Sequence, residues 1–434
     1  MKSMPFKSEP ETIRRVQMFA AALLLALFAS CARPARREAG AAASEAHRVQ
    51  VAANGAEPSV AAAEDGSVYV AWVVHQPSKD ADVWLGRYDR EGKPAGTAVR
   101  VNPTVGAATA WRGDPPDVAV APDGAVHVAW TARDEGAAHA TTLYLSTSRD
   151  GGRSFGEPVR VNDDARACTH GMHSLAVRGD GRVLLAWLDE RDLAPAEPMK
   201  MGEESGAPKG SAGMHGEQNR AVYFATSNDG GRTFSRNVRV ATDACPCCKT
   251  ALAAAADGRL YVGWRQVLPG DFRHIAVASS PDGGATFDAP TIVSDDRWEL
   301  KGCPVSGPAL AAGEGGALRV LWYTAGEAGG PGLYTAVSAD GGRTFSPRSV
   351  VTEGNLRGTP VLLADGQGRS FAVYEGLGET GAAGLWRVPL GEEAGGKATF
   401  GGGESAAAAT RGERLSLAYV KQGGVWLALP GVAD

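Results

Sequence analysis

An apolar strand that ends in an aromatic residue recurs seven times along the chain. The intervals run from 45 residues (Tyr374 to Tyr419) to 77 residues (Trp187 to Trp264). The seven aromatic residues are Trp72, Trp130, Trp187, Trp264, Trp322, Tyr374 and Tyr419. A period of about 50 residues indicates a repeat architecture, in which each unit buries its apolar face against its neighbours. The long interval after Trp187 indicates an insertion in that unit.

The composition favours strands over helices. The 434 residues include 57 glycines and 25 prolines, which suits many short strands joined by tight turns. Hydrophobic residues make up 44% and charged residues 21%, as in an ordinary folded domain. We therefore expect an all-β protein. The net charge of -5 and the lack of a basic stripe argue against nucleic acid as a partner.

A second motif, Ser-x-Asp-x-Gly-x-x-Phe, occurs four times, as STSRDGGRSF, ATSNDGGRTF, ASSPDGGATF and AVSADGGRTF. In a hairpin turn, such an aspartate accepts hydrogen bonds from backbone N–H groups, and the glycine adopts a positive φ. We predict a structural, non-catalytic role for Asp150, Asp229, Asp282 and Asp340. The four copies resemble the Asp-boxes (BNR repeats) of sialidase-like proteins. This resemblance implies a β-propeller, with the boxes on the side away from the active site.

The two ends of the chain complement each other. The segment HRVQVA (47–52) has the alternating pattern of the fourth strand of a unit, whereas the last unit (405–429) provides three strands and stops. The N-terminal strand should therefore complete the final unit and leave no open sheet edge. Residues 47–434 are predicted to form a propeller of seven blades, each of four antiparallel strands. A six-bladed sialidase fold with an appendage is the alternative.

The first residues form a predicted export signal. Arg14 and Arg15 precede an apolar run from Met18 to Phe28, which small residues and Cys31 follow. The string LFASC resembles the lipobox of bacterial lipoproteins, which implies that Cys31 carries a lipid and that residues 1–31 are the signal peptide. Residues 32–46 then form a flexible tether. We expect the mature protein to be lipid-anchored to the bacterial membrane, facing the periplasm or the exterior.

Unusual side chains concentrate in the links between units and in the loops after the aromatic strands, which share one face of a propeller. Arginines on this upper face are candidates for ligand binding, because a guanidinium group binds a carboxylate in bidentate fashion. The candidates are Arg112, Arg191, Arg265, Arg273 and Arg357.

Five cysteines follow Cys31, all in the links before three successive units: Cys168, Cys245, Cys247, Cys248 and Cys303. One interpretation is a set of disulfides in an oxidising compartment. Adjacent Cys247 and Cys248 are poorly placed to bridge each other, which favours links from the Cys-x-Cys-Cys segment to Cys303 and to Cys168. The other interpretation is a soft-metal site that also involves His170, Met172 and His173. Sulfur and imidazole donors suit copper(I) best and zinc second.

The stretch from DACPCCKTA (243–251) to WELKGCPVSGPAL (298–310) resembles a group of uncharacterised secreted sialidase-like proteins. The resemblance implies that Cys245, Cys247, Cys248 and Cys303 form the core cysteine set, and it names no activity. Sialidases use three arginines, a Tyr–Glu pair and an aspartic acid, so the resemblance makes Tyr323 and Glu375 candidates for that pair. The Phe-Arg-Ile-Pro motif of sialidases is absent.

Three functional hypotheses follow. The preferred one is an exported, monomeric propeller that binds a small ligand or glycan on its upper face, with copper or zinc at the cysteines. The second is a glycoside hydrolase of the exo-sialidase type. The third is a protein-interaction scaffold of the cell envelope.

Overall fold

The computed structural model describes residues 47–77, 80–134, 140–193, 218–300, 302, 304–364, 369–377, 383–391, 397–412 and 414–429. Across these residues the chain forms antiparallel strands and one short 3-10 helix, Glu314–Gly316. The all-β prediction is confirmed. The predicted signal peptide with Cys31, the tether, nearly all of the insertion (198–218) and Cys303 lie outside the described residues.

The N-terminal part of the chain carries ten strands: β1 (His47–Ala52), β2 (Ala56–Ala62), β3 (Val68–His75), β4 (Ala81–Tyr88), β5 (Val99–Arg100), β6 (Ala108–Thr109), β7 (Asp117–Val120), β8 (Val126–Arg133), β9 (Thr141–Ser148) and β10 (Val159–Arg160). Strands β2 to β10 form one nine-stranded sheet. Within it, β2–β5 and β7–β10 are two runs of four consecutive antiparallel strands, and β6 bridges them. We call each run of four a strand group.

The middle of the chain builds two more groups from eight strands: β11 (His170–Val177), β12 (Val183–Asp189), β13 (Arg220–Ser227), β14 (Val238–Ala244), β15 (Ala251–Ala254), β16 (Leu260–Leu268), β17 (Phe272–Ser280) and β18 (Thr291–Ile292). Strands β11–β14 form one group and β15–β18 the next. A single pair, Ala244 opposite Gln266, joins the two groups into one sheet.

Three separate four-stranded sheets complete the fold. Their strands are β19 (Ala309–Ala312), β20 (Leu318–Thr324), β21 (Gly332–Ser338), β22 (Ser349–Glu353), β23 (Leu356–Ala364), β24 (Ser370–Leu377), β25 (Ala383–Leu390), β26 (Ala398–Gly401), β27 (Glu404–Arg411), β28 (Arg414–Lys421) and β29 (Gly424–Leu429). The last sheet has the order β1-β29-β28-β27. Strand β1 pairs with β29, with His47 opposite Leu429, so the N-terminal strand completes the final group as the sequence indicated.

Successive groups pack against each other through their apolar faces. The first strand of each group contacts the first strand of the next, in the order β2, β7, β11, β15, β19, β23 and β27, and β27 contacts β2 again. One buried cluster joins Tyr69 of β3 to Trp130 of β8, and another joins Trp72 of β3 to Leu427 of β29. The series of first strands therefore closes on itself.

The repeated aromatic residues all lie in the second strand of a group. Trp187, Trp264 and Trp322 are fully buried, where their indole rings fill the space between sheets. A buried indole N–H needs an acceptor. The N–H of Trp187 donates to Asp189 Oδ2 at 2.7 Å, and that of Trp322 donates to Asp296 Oδ2 at 2.8 Å.

The four Asp-box aspartates organise the turns between third and fourth strands. Asp229 is representative, because its carboxylate accepts bonds from the Ser227 hydroxyl, the Arg232 N–H and both the N–H and the hydroxyl of Thr233. Burial alone raises the pKa of Asp229, but the Thr233 and Ser227 bonds outweigh it and hold the pKa well below its usual range. Asp150, Asp282 and Asp340 accept equivalent bonds from their own turns.

Replacing Asp229 by alanine should lower the free energy of unfolding by about 1–2 kcal/mol, because four donors lose their acceptor at an exposed turn. Urea unfolding at pH 7 measures the difference. Since the folded pKa lies below the unfolded value of about 3.9, the difference should shrink as the pH falls through the folded pKa. Exposed Glu157 is the control, and Glu157→Ala should change stability by no more than about 0.5 kcal/mol. Equal effects of both substitutions would contradict the assignment.

Candidate functional site

A cavity of about 270 Å³ lies between the first strands of the groups. Its walls come from six of the groups, because β2, β7, β11, β23 and β27 and the segment before β15 all contribute residues. Small residues (glycine, alanine and valine) form part of this wall, and charged groups lie among them. The charged residues are Glu57, Arg112, Asp117, Lys249, Arg357 and Glu375.

Glu375, on β24, anchors one side of the cavity. Arg112 Nη2 donates to Glu375 Oε2 at 2.7 Å, and the Ser405 N–H donates to the same oxygen at 3.0 Å. The other oxygen, Glu375 Oε1, is buried and has no hydrogen-bond partner in the described part of the chain; the same holds for Tyr374 Oη. Buried polar atoms without partners are rare in folded proteins, so these two atoms stand out in the cavity wall.

Two further cationic side chains line the cavity, one in an ion pair and the other without one among the described residues. Lys249 Nζ contacts Asp117 Oδ1 at 2.6 Å, and the Leu175 N–H donates to Asp117 Oδ2, which fixes this ion pair. Arg357 is exposed and lies opposite Glu375 in the β23–β24 register. Across the described ranges, no ion pair or hydrogen bond engages the Arg357 guanidinium group, so it is free to bind an anion.

The structure brings together two of the five predicted arginines, Arg112 and Arg357. Arg191 lies elsewhere, with Nη1 2.6 Å from Asp163 Oδ1 and Nη2 2.8 Å from Asp189 Oδ2. Arg265 is fully buried, and its Nε and Nη2 donate to the Ser306 carbonyl. Arg273 is also buried. None of these three arginines lines the cavity. The sequence predicted the strand or loop that carries each arginine, but the neighbours of its side chain depend on tertiary packing.

Sequence reasoning missed Lys249 and Asp117, the ion pair in the wall. A signal for Lys249 existed, since it directly follows the Cys-x-Cys-Cys segment in a link between two units. Of the predicted Tyr–Glu candidates, Glu375 lines the cavity, whereas the Tyr323 hydroxyl donates to Asn355 Oδ1 at 3.1 Å. The tyrosine beside Glu375 in the cavity wall is Tyr374.

The Cys-x-Cys-Cys segment forms a buried sulfur cluster. The Sγ atoms of Cys245, Cys247 and Cys248 all lie within 4.8 Å of one another. Cys168, Cys245 and Cys248 are free thiols, so the predicted disulfide between Cys168 and this segment is not formed. Met172 packs in the same apolar cluster as these three cysteines.

The two free thiols of this cluster differ in acidity. Burial raises the pKa of Cys248, but the Cys245 hydrogen bond and the positive charge of Arg265 overcome it and lower the pKa to about 6. The hydrogen bond from Cys248 and burial raise the pKa of Cys245 well above its ordinary value. The cluster is therefore an asymmetric dithiol beside a buried guanidinium group.

The predicted histidine ligands do not join the sulfur cluster. His173 Nδ1 lies 3.1 Å from Asp114 Oδ1, and both side chains are buried. His170 Nδ1 donates to the Thr141 carbonyl at 2.5 Å, and its Nε2 lies 3.0 Å from Asp164 Oδ1. Asp164, Cys168 and His170 offer three ligand atoms within 4.8 Å of one another. However, Arg191 already contacts Asp164 Oδ1 at 3.4 Å.

The imidazole of His170 is a buried cation in this network. Burial lowers its pKa, but the bonds to Asp164 and Cys168 and the charge of Asp189 raise it to about 10. The group is therefore protonated at neutral pH and holds two carboxylates together. Its Nε2 lies within hydrogen-bonding distance of Asp164 Oδ1.

No helix among the described residues is long and apolar enough to cross a membrane. No protein-family model and no curated protein matches the sequence.

Solved structures share the fold. An ulvan lyase of the polysaccharide lyase family PL25, bound to -[GlcA(1-4)Rha3S]-, is 12% identical, with 89% of this chain and 96% of that chain covered and a TM-score of 0.52. A protein of unknown function from Dyadobacter fermentans is 14% identical, with 91% of this chain and 98% of that chain covered and a TM-score of 0.48. The NanB sialidase of Streptococcus pneumoniae is 10% identical, with 84% of this chain and 83% of that chain covered and a TM-score of 0.47.

The chain shares its all-β fold with the ulvan lyase over 89% of its length, at 12% identity. The likeness concerns the fold alone, because function belongs to sites built on folds.

Replacing His170 by glutamine should lower the free energy of unfolding by roughly 3–5 kcal/mol near pH 6, because a buried ion pair loses its cation. Since the folded pKa of about 10 exceeds the unfolded value of about 6.5, this stabilisation is complete below pH 6.5 and is lost as the pH rises through 10. Denaturant unfolding of both proteins between pH 6 and pH 10 measures the trend.

His127 provides the control of opposite sign. Burial lowers the pKa of His127 to about 4, so the native state loses stability as the pH falls from 6.5 through 4, and His127→Gln should remove that dependence. A His170→Gln deficit that stays constant from pH 6 to pH 10 would show that His170 is neutral in the folded protein.

Proposed function

We propose that this protein is an exported, lipid-anchored, seven-bladed propeller that binds a small acidic carbohydrate in its central cavity. One observation carries the proposal: the unengaged guanidinium group of Arg357 and the Arg112–Glu375 pair line the same cavity. The lipid on Cys31 would hold the protein on the membrane, facing the periplasm or the exterior.

The strand pairing supports the blade count. Seven strand groups follow one another, and their first strands contact each other in a closed series. The closing contact, between β27 and β2, and the β1–β29 pair leave the last group no open edge. Each group would then be one blade, and the cavity would lie on the axis.

The charges and the size of the cavity indicate the ligand. Arg112, Lys249 and Arg357 place three cations in its wall, and arginine binds carboxylates and sulfates through parallel N–H bonds. A volume of about 270 Å³ is close to the lower limit of about 300 Å³ for small-molecule sites, which favours a single saccharide unit over a polymer. The ulvan lyase, solved with a GlcA-containing ligand, supports an acidic sugar on this fold.

Replacing Arg357 by methionine should weaken binding of an acidic sugar by about 10- to 100-fold, since a charge-assisted hydrogen bond contributes about 1.5–3 kcal/mol. Calorimetric titration with glucuronic acid and sialyllactose, against neutral glucose and lactose, measures this loss. Arg236, which is exposed and does not line the cavity, is the matched control. Equal affinity for acidic and neutral sugars, or an equal loss in Arg236→Met, would contradict the proposal.

A second function, chemistry on the bound sugar, is favoured by the unpartnered Tyr374 Oη and Glu375 Oε1. A carboxylate and a phenol in one cavity wall can act as general base, nucleophile or acid on a glycosidic bond. An aryl sialoside and an aryl glucuronide test this, because cleavage releases a chromophore.

If the site is catalytic, Glu375→Gln should lower kcat by at least about 100-fold, because the amide cannot carry the negative charge. Circular dichroism and thermal unfolding check that the variant still folds, since Glu375 also binds Arg112. The control is Glu157→Gln, because Glu157 is exposed. Absence of turnover in the wild-type protein with both substrates would leave the cavity as a binding site.

A further inference from the structure

The two free thiols of the sulfur cluster have the spacing of a metal-binding pair. Cys245 and Cys248 are separated by two residues, and their Sγ atoms lie within 4.8 Å of each other. The Cys248 N–H also donates to the Cys245 carbonyl at 3.3 Å, so the turn fixes both side chains on one side. Two metal–sulfur bonds of about 2.3 Å each can join sulfur atoms that lie within this limit.

Arg265 provides the second, independent feature of this site. Its side chain is fully buried, and its positive charge acts on the Cys248 thiol. The Ser306 carbonyl accepts from Nε and Nη2, and the Tyr323 carbonyl also accepts from Nη2, which holds the group rigidly. Within the described ranges, Nη1 has no hydrogen-bond partner. A buried guanidinium group without a carboxylate beside it requires an anion.

We propose that Cys245 and Cys248 bind a single copper(I) ion through two thiolates, with Arg265 as the counter-charge. The site goes beyond the proposed carbohydrate function and uses none of the residues assigned to it.

Charge balance favours copper(I) over zinc. One copper(I) ion and two thiolates carry a net charge of −1, and the single positive charge of Arg265 neutralises it. Zinc(II) in the same place would leave an uncompensated positive charge beside a buried guanidinium group, which is costly in an apolar interior. Arg273, the next buried cation, has its own carboxylate, Asp271, at 4.0 Å.

The available donors lead to the same ion. The described ligand atoms that gather here are all cysteine sulfurs, with no imidazole or carboxylate among them. Zinc requires four ligands in a tetrahedron, whereas soft sulfur donors select copper(I). The surroundings are apolar, and the thioether of Met172 belongs to the same cluster. Met172 has a φ of 54°, a conformation that a non-glycine residue adopts at a cost of about 1–3 kcal/mol.

Copper(I) binding would release the thiol protons, since thiolates are the ligands. Both protons would pass to solvent as the two copper–sulfur bonds form.

The test uses the full chain under argon, with ascorbate to keep copper reduced and bicinchoninate as a competing chelator. We expect the wild-type protein to retain one copper(I) per chain, with an X-ray absorption spectrum that shows sulfur ligands. Cys245→Ser and Cys248→Ser should each lose this copper. Cys168→Ser removes the third free, buried thiol and should retain it.

Arg265→Met should weaken copper(I) binding by about 10- to 100-fold, the usual effect of removing a group that supports metal ligands. Thermal unfolding without copper is measured first for every variant, because Arg265 also binds two backbone carbonyls. If Arg265→Met does not fold, the copper retained by Cys245→Ser and by Cys168→Ser decides whether the Cys245–Cys248 pair is the binding site. Retention of zinc in preference to copper(I), retention of copper by Cys245→Ser, or no retained copper in the wild type would each overturn the proposal.

Discussion

Closure of the chain by β1 is the constraint on which the rest of the structure depends. The last group has three strands of its own, and the pairing of β1 with β29 supplies the fourth. Without it, β29 would present an open row of backbone donors and acceptors, and the apolar face shared by Trp72 and Leu427 would lose part of its cover. The N-terminal strand thus fastens the first group to the last and keeps the inner strands in a closed series.

This closure explains why chemistry gathers at one place. Because six groups direct a link or a first strand toward the cavity, residues as distant in sequence as Arg112 and Glu375 come within 2.7 Å. The Asp-box turns lie at the far ends of the third strands, where the Asp229 carboxylate is saturated by its own turn. The connections between third and fourth strands therefore stabilise the fold, and the connections near the cavity carry side chains that can bind a ligand.

Buried charges occur both in the scaffold and beside the sulfur cluster. His170 holds Asp164 and Asp189 together, and Arg265 donates to two backbone carbonyls next to Cys248. Desolvation makes each of these groups costly unless a partner of opposite charge is close. The charge of Arg265 lies beside the acidic Cys248 thiol, whereas Arg357 lines the cavity and has no ion-pair partner among the described residues. The first arrangement suits a bound cation between thiolates, and the second suits a bound anion.

The sequence by itself determined the all-β fold, the second-strand aromatics, the Asp-box turns and the completion of the last group by residues 47–52, because these depend on local pattern and repetition. It also indicated that Arg112, Arg357 and the Cys-x-Cys-Cys segment carry chemistry. Only the tertiary structure decided which arginines reach the cavity. Arg191 follows β12 and Arg265 lies within β16, and each is held by a residue from another part of the chain, Asp163 after β10 and the Ser306 carbonyl before β19. The pairing of Lys249 with Asp117 has the same origin, since it joins residues 132 positions apart.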